Sequence, residues 1–521
     1  MEEKADILEL LEIDYCRLIS ESNECTGDVM KALGPEGPGL LAITGVPNAQ
    51  SLTNTLLSFA RKLALMDDTQ RRHILKDHGL GTDVSLKKAD RKVSSFAAQL
   101  NFSQSTSVKL EHKNVKSEGE NCYKQRTALL PEENIGSKVI EQDDAQTVTS
   151  QGLQHCSDFE GLGNSFKQLG FCMVEVGLRL AQICDQAIEG IELEKVILDA
   201  HTAKGRLIHY HSLSETTLLM GLANTKGSNK RLSGKELRCT HSKKNSSASS
   251  NQDVKGKDHF GIAEKNNSLY PSAKKVPSPV TPDLWQEWHY DYGIFTLLTT
   301  PLFLSSFSLP IRSNGILMNQ SAQECSSPDG HTYLKILNIV NSKVMFASAP
   351  SGSLIVQVGE AAQILSGGKL HATAHCVCRP SERIDVSRET FVVFLQPAWN
   401  KSLSPPKWFY EEREATKHSF EDISASPSTE MMERNDLKSN LNSLSLAVTE
   451  NQPGLENIGL ESAQSTETFT ENVNDLKMLL NEIQKILPPL MSRWKEGETF
   501  VEFSRETTRK YYGADGMQSN R

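Results

Sequence analysis

What this sequence lacks narrows it first. Its ten cysteines, at positions 16, 25, 122, 156, 172, 184, 239, 325, 376 and 378, contain no Cys-x-x-Cys pair and no regular framework spacing. That argues against a disulfide-stapled scaffold and fits a reducing compartment. No apolar run approaches the length of a membrane span. The stretch MEEKADILELLEIDY is acidic and has neither the basic start nor the apolar core of a secretory signal. The expectation is therefore an intracellular protein, cytoplasmic, with a nuclear location also compatible. Positive charge is not in excess: Lys+Arg 56 against Asp+Glu 65 gives -9, so neither nucleic acid nor a membrane surface is the expected partner. Internal repeats are absent as well.

What is present is a chain of 521 residues, 38% hydrophobic, long enough for two to four domain-sized units. The run LLAITGV over 40–46, between Gly39 and Pro47, predicts a short buried strand. Leu52, Leu56, Phe59 and Leu63 then recur at steps of four and three, as do Phe166, Leu169, Met173, Val176, Leu180 and Ile183. Both patterns predict packing helices. Residues 226–275 form a Lys, Ser and Asn tract with too little apolar surface to offset ordering, which predicts a disordered insertion. A second polar stretch over 411–471 reads as a linker, and Leu476, Leu479, Ile483 and Leu487 predict a helix stopped by Pro488-Pro489. Between these tracts, IFTLLTTPLFL, YLKILNIV, KVMFA, SLIVQV and FVVFLQPAW have strand lengths, punctuated by Ser351-Gly352 and Gly367-Gly368. They predict a β-sandwich or barrel.

Three segments of that region carry chemistry. In WHYDYGIFTLL, His289 and Asp291 stand two residues apart, so on a strand an imidazole and a carboxylate share one face. About one such pair is expected by chance in a chain with 14 histidines. A second strand carrying His375, after the Gly-Gly loop, offers a third ligand. Two histidines and one carboxylate leave positions open on an octahedral iron(II) for a chelating co-substrate and dioxygen, whereas structural zinc prefers four protein ligands. In VSRETFVVFLQPAW, Arg388 and Thr390 share one strand face while Phe391 and Val393 point the other way. A guanidinium fork beside a hydroxyl suits the distal carboxylate of a dicarboxylate.

The ordered set HYDYGIFTLL, SGGKLHATAHCV and RETFVVFLQP closely resembles the plant-type 2-oxoglutarate and iron(II)-dependent dioxygenases of the isopenicillin N synthase-like class. The resemblance covers about Trp285 to Trp399, and GPGLLAITGVP looks like that class's N-terminal strand. It implies a mixed α and β fold: a double-stranded β-helix, or jelly roll, flanked by N-terminal and C-terminal helices. It also implies iron(II) on His289, Asp291 and His375, 2-oxoglutarate anchored by Arg388 and Thr390, and oxidation of a small organic substrate. In GRLIHY, Tyr210 stands where the class often has a co-substrate-binding tyrosine. The implied organisation is an N-terminal strand-and-helix region over 1–200, the jelly-roll core over 201–410, the linker over 411–471 and a C-terminal helical segment over 472–521. Departures from the class are Cys376 after the ligand histidine, Glu360 where Asp is usual, Thr390 for the commoner Ser, and the insertion itself.

Bland readings stand beside these. His371 lies four residues before His375, and periodicity alone does not separate them; the class pattern favours His375. His209 and His211, flanking Tyr210, read as pocket-wall or surface residues, and Cys376 and Cys378 as small buried hydrophobes. Trp285 and Trp288 either cover the metal mouth or close the sandwich. Two rival functions are an iron(II) oxidase of the same class that does not use 2-oxoglutarate, and a non-catalytic interaction module on a jelly-roll scaffold.

Overall fold

The structure, a computed structural model, describes residues 6–20, 24–84, 86, 90–102, 158–221, 284–305, 312–313, 316–317, 322–338, 343–381, 384–411, 483 and 486–512. The expected insertion at 226–275 and the linker beyond Glu411 lie outside the described residues, as does most of the helix expected over 476–487.

With strands numbered in chain order, the smaller sheet runs β1 (Ile7–Glu9), β13 (Lys343–Ser348), β12 (Leu334–Asn338), β15 (His375–Cys378) and β6 (Leu284–His289). It is antiparallel except for β1, which adds to β13 in parallel. In the larger sheet, β4 (Val93–Asn101) pairs with β5 (Thr202–Tyr210), and β5 with the long β16 (Val386–Leu395). The other edge of β16 is shared by β7 (Phe295–Thr299) and β8 (Leu302–Ser305). From β7 the sheet continues through β14 (Leu354–Val358), β3 (Leu40–Thr44) and β2 (Glu12–Asp14), while β11 (Gln323–Cys325) extends β8. The two-residue strands β9 (Arg312–Ser313) and β10 (Ile316–Leu317) pair only with each other among the described residues.

The eight strands β5, β6, β7, β12, β13, β14, β15 and β16 fall, in chain order, on the larger, smaller, larger, smaller, smaller, larger, smaller and larger sheet. This alternation winds the chain into a jelly roll, whose sheets supply both walls of one interior. Leu334, Ile336 and Val377 of the smaller sheet meet Ile208, Leu298, Ile355 and Val392 of the larger one in a shared apolar cluster.

Nine helices are described: α1 (Tyr15–Leu18), α2 (Thr26–Leu33), α3 (Ala49–Leu65), α4 (Asp68–Asp77), α5 (Leu162–Ala187), α6 (Leu193–Ala200), α7 (Glu360–Leu365), α8 (Leu490–Arg493) and α9 (Phe500–Tyr512). The period read from the sequence is the one that packs: Phe166, Leu169, Met173, Val176, Leu180 and Ile183 of α5 are all buried against the outer face of the larger sheet. There they meet Phe391, Val393 and Leu395, the odd-numbered side of β16. The rings of Phe166 and Phe391 stand edge to face with centroids 4.8 Å apart, so Phe391→Ala would cost about 3–5 kcal/mol. The result is a helix layer over a sheet, with the even-numbered side of β16 left for the interior. Gly367 and Gly368, at φ 58 and 84, make the left-handed turn that leads back towards β15.

Candidate active site

His289 is the last residue of β6 and His375 the first of β15, and the two are paired across the ladder just before its register slips. That pairing, not the sequence, brings the imidazoles together, with ring centroids 4.1 Å apart. Asp291 lies two residues past β6. Its carboxylate stands 3.9 Å from Nε2 of His289 by one oxygen and 3.9 Å from Nε2 of His375 by the other. One ligand atom from each residue falls within 4.8 Å of the other two. The Asp291 turn is fixed from behind: Glu360 N donates to Asp291 O at 2.8 Å and Ala361 N to Gly293 O at 3.0 Å. A Cβ on Gly359 would stand 2.3 Å from Gly293 O, so this approach requires glycine.

Protonation suits metal binding. Nδ1 of His289 lies 2.8 Å from Glu287 O, and Nδ1 of His375 lies 3.0 Å from Thr373 O. A carbonyl only accepts, so Nδ1 of His289 carries the proton and its Nε2 keeps a lone pair, whereas Nδ1 of His375 also meets Gln357 Nε2 at 2.6 Å. Burial, reinforced by the neighbouring His375, lowers the His289 pKa to about 4, so it is neutral at physiological pH. Gln286 links this centre to the next: its Nε2 donates to His289 Nε2 at 2.9 Å, and its Oε1 accepts from Tyr210 OH at 3.0 Å. His371 is elsewhere, buried in the loop before β15 with its backbone N–H on Leu33 O.

A cavity of about 190 Å³ opens in front of the three residues and runs along the even-numbered sides of β5 and β16. Tyr210, Arg388 and Thr390 line it together with His289, Asp291 and His375. Arg388 is 1% exposed. Its Nε donates to Thr332 O at 3.0 Å, and its guanidinium lies 5.1 Å from the ring centre of Tyr210, its register partner. Among the described residues no carboxylate pairs with it. Thr390 Oγ1 donates to Thr299 O at 3.2 Å.

His209 and His211 require a correction. They are neither cavity wall nor surface: both are fully buried on the opposite face of β5 and its continuation. His209 Nδ1 donates to Glu389 at 2.8 Å, and its Nε2 lies 3.1 Å from Glu215 Oε2 and 3.1 Å from His211 Nδ1. Arg61 from α3 donates to the other Glu215 oxygen at 2.6 Å, and His211 Nε2 lies 2.8 Å from Ser94 Oγ. Burial alone would lower the His209 pKa, but Glu389 and Glu215 outweigh it and raise it to about 9. The outcome is a buried row of alternating acids and bases, Glu389, His209, Glu215 and Arg61, in which burial raises the Glu389 pKa and His209 opposes that rise. His209, His211 and Glu215 are also close enough to hold an ion, yet both His209 nitrogens already face carboxylates. The alternation that turned Arg388 inward was the available signal, because it turns Glu389 outward.

The C-terminal segment closes one side of the cavity. Thr507, Thr508 and Tyr511 of α9 line it. Arg493, fully buried, forms a two-pronged ion pair with Glu360, with Nη1 2.7 Å from Oε2, and also donates to Thr507 Oγ1 at 3.0 Å. Glu360, which departs from the class pattern, thus has a partner 133 residues away. Trp285 and Trp288 are buried in apolar clusters and close the sandwich, and Cys376 and Cys378 are buried as well.

No family model and no curated protein matches the sequence. Solved structures do match over most of its length. In chain path it resembles 2-oxoglutarate oxygenases. The matches include a full-length Neurospora crassa protein in complex with alpha-KG (12% identity, TM-score 0.42, covering 78% of this chain and 92% of that one). They also include the dioxygenase for auxin oxidation 1 from Arabidopsis thaliana with 2-oxoglutarate (10%, 0.39, 77% and 97%) and the dioxygenase for auxin oxidation in rice (12%, 0.39, 79% and 96%). No described helix is long and apolar enough to cross a membrane.

Proposed function

We propose that this chain is an iron(II)- and 2-oxoglutarate-dependent oxygenase acting on a small organic substrate, with His289, Asp291 and His375 holding the metal and Arg388, Thr390 and Tyr210 the co-substrate. The observation that carries this reading is Arg388: a guanidinium removed from water, without a carboxylate partner among the described residues, facing the cavity whose wall bears the two imidazoles and the carboxylate. Burying such a charge costs several kcal/mol unless an anion joins it. An oxidase that dispensed with 2-oxoglutarate would leave that cost uncompensated.

The donor set fits the metal. Two imidazoles and one carboxylate are the ligand types of non-haem iron(II), and three protein ligands leave positions for exogenous ones. Iron(II), when bound, supplies dioxygen activation, with electrons from the decarboxylation of 2-oxoglutarate to succinate. The protein does the rest. The Glu287 carbonyl holds the His289 imidazole with its lone pair facing inward, and Thr373 O and Gln357 fix the plane of the His375 ring. Arg388 takes the distal carboxylate of the co-substrate in its fork, over the Tyr210 ring. Gln286 accepts from Tyr210 OH through Oε1, while its Nε2 donates to the His289 lone pair that iron(II) would take. The walls exclude water from the reacting centre.

The test is an anaerobic titration with iron(II) and then 2-oxoglutarate, followed by visible spectroscopy. A metal-to-ligand charge-transfer band that disappears in His375→Ala and Asp291→Ala is expected. Iron binding without a band would favour the oxidase, and no iron binding at all would favour the interaction module.

A further inference from the structure

The mouth of the cavity carries cations that neither the metal nor the co-substrate uses. Lys204, Arg206, Ile208 and Tyr210 are four of the even-numbered residues of β5 and all line the cavity. Their register partners on β16 are Phe394, Val392, Thr390 and Arg388. Arg388 and Tyr210 form the closed end. Arg206 lies four residues up the strand, roughly 13 Å away at about 3.3 Å per residue. The side chains of Lys204 and Arg206 are 32% and 30% exposed, so the open end is theirs.

These two cations share a single carboxylate. Lys204 Nζ and Arg206 Nε approach the same oxygen of Asp83, at 2.8 and 2.5 Å. Burial would raise the Asp83 pKa, but Arg206 and Lys204 hold it down, so it is a full negative charge. Among the described residues Arg206 has no other anionic partner, and the approach of its Nε to Asp83 lacks hydrogen-bond alignment. Its guanidinium is 5.1 Å from the ring centre of Phe394, a stacking that fixes the plane of the fork.

Charge balance gives the rest. With a divalent metal and a dianionic co-substrate in place, Asp291 and Arg388 bring the inner end to neutrality. The mouth then retains one surplus positive charge, from two cations and Asp83. The wall between the ends is apolar at Ile208, Leu298 and Val392. We propose that Arg206, oriented by Asp83 and Phe394 and flanked by Lys204, is a second anion subsite that receives the carboxylate of the primary substrate. The substrate is then a monoanionic carboxylic acid with an apolar body, its head at the mouth and its reacting carbon towards His289 and Asp291. This rests on the oxygenase reading for the identity of the site as a substrate site, though not for the subsite itself.

The test uses the full chain, wild type and the Arg206→Gln and Arg206→Lys variants, loaded anaerobically with iron(II) and 2-oxoglutarate. Calorimetric titration compares arylalkanoic acids, from phenylacetate to longer chains, with their matched primary amides and with phenyl phosphate. At least one acid is expected to bind wild type, its amide at least about tenfold more weakly. Arg206→Gln is expected to weaken acid binding by about 10- to 100-fold, the scale of one or two charge-assisted hydrogen bonds, and Arg206→Lys to restore part of it. The 2-oxoglutarate band should stay within about twofold in both variants, which shows that they fold. Equal binding of acid and amide, acid binding unchanged in Arg206→Gln, or no acid bound by wild type would mean that Lys204, Arg206 and Asp83 form a closed ion cluster and overturn the proposal. Tighter binding of phenyl phosphate than of any acid would overturn the monoanion assignment. The two readings separate: a missing band in iron-loaded wild type sinks the oxygenase, while Arg206-dependent acid binding by metal-free protein that persists in Arg388→Ala still supports the subsite.

Discussion

Replacing Arg388 by alanine is the sharpest perturbation of the proposed site. The guanidinium is 1% exposed and spends its Nε on Thr332 O, which leaves the Nη hydrogens for a dicarboxylate. Two charge-assisted bonds at about 1.5–3 kcal/mol each, formed out of water, give about 3–6 kcal/mol. The affinity for 2-oxoglutarate should therefore fall by about 10²- to 10⁴-fold. Arg388→Lys keeps the charge but not the fork and should fall between the variant and wild type. The assay is the midpoint of the anaerobic charge-transfer band against 2-oxoglutarate concentration, with iron held saturating. Melting supplies a second measure, because a ligand at a hundred times its Kd stabilises by about 2.7 kcal/mol. That increment should vanish in Arg388→Ala at the concentration that saturates wild type. A loss smaller than about fivefold would refute the reasoning, since it would mean that the co-substrate carboxylate does not meet this side chain.

The row behind β5 makes a pH prediction. The His209 pKa is raised, to about 9, so its stabilisation is complete below its unfolded value near 6.5 and is lost as pH rises through about 9. Wild type should lose on the order of 3 kcal/mol relative to His209→Gln between pH 7 and 10 in urea unfolding; parallel curves would contradict this. At the other side of the cavity, breaking the Glu360–Arg493 pair by Arg493→Met should cost about 3–5 kcal/mol by leaving a buried carboxylate alone. The double change with Glu360→Gln should recover much of this in thermal unfolding, and equal losses for single and double variants would argue against the pair. Asp291→Ala should abolish the charge-transfer band while leaving the far-ultraviolet circular dichroism intact.

Much of this was legible because period-two alternation survives folding. Arg388 and Thr390 were assigned to one face of their strand and Phe391 and Val393 to the other, and the cavity and the helix layer divide β16 in that way. Steps of three and four marked α3 and α5 because their buried stripes pack on a flat sheet. What the sequence left open were relations across it. Periodicity could not separate His371 from His375, because the choice depends on where β15 begins against β6. The row from Glu389 to Arg61 escaped because a histidine beside a cavity tyrosine was read as lining the same cavity, whereas adjacent strand residues point apart. The Glu360–Arg493 pair joins segments whose separation no local pattern spans.

The strand pair β5 and β16 is, in effect, a sheet with two separate jobs. Odd-numbered residues face the helices and the buried ion row, and they decide whether the chain folds. Even-numbered residues face the cavity, and Lys204, Arg206, Val392 and Phe394 line it towards the end of the strand pair away from Arg388 and Tyr210. Substrate preference can therefore be rewritten at these four positions within two limits, because Val392 belongs to the apolar cluster that joins the sheets and Lys204 and Arg206 hold the Asp83 carboxylate. A library that keeps position 392 apolar and at least one cation for Asp83 would be expected to stay folded and to bind 2-oxoglutarate while exploring new substrates.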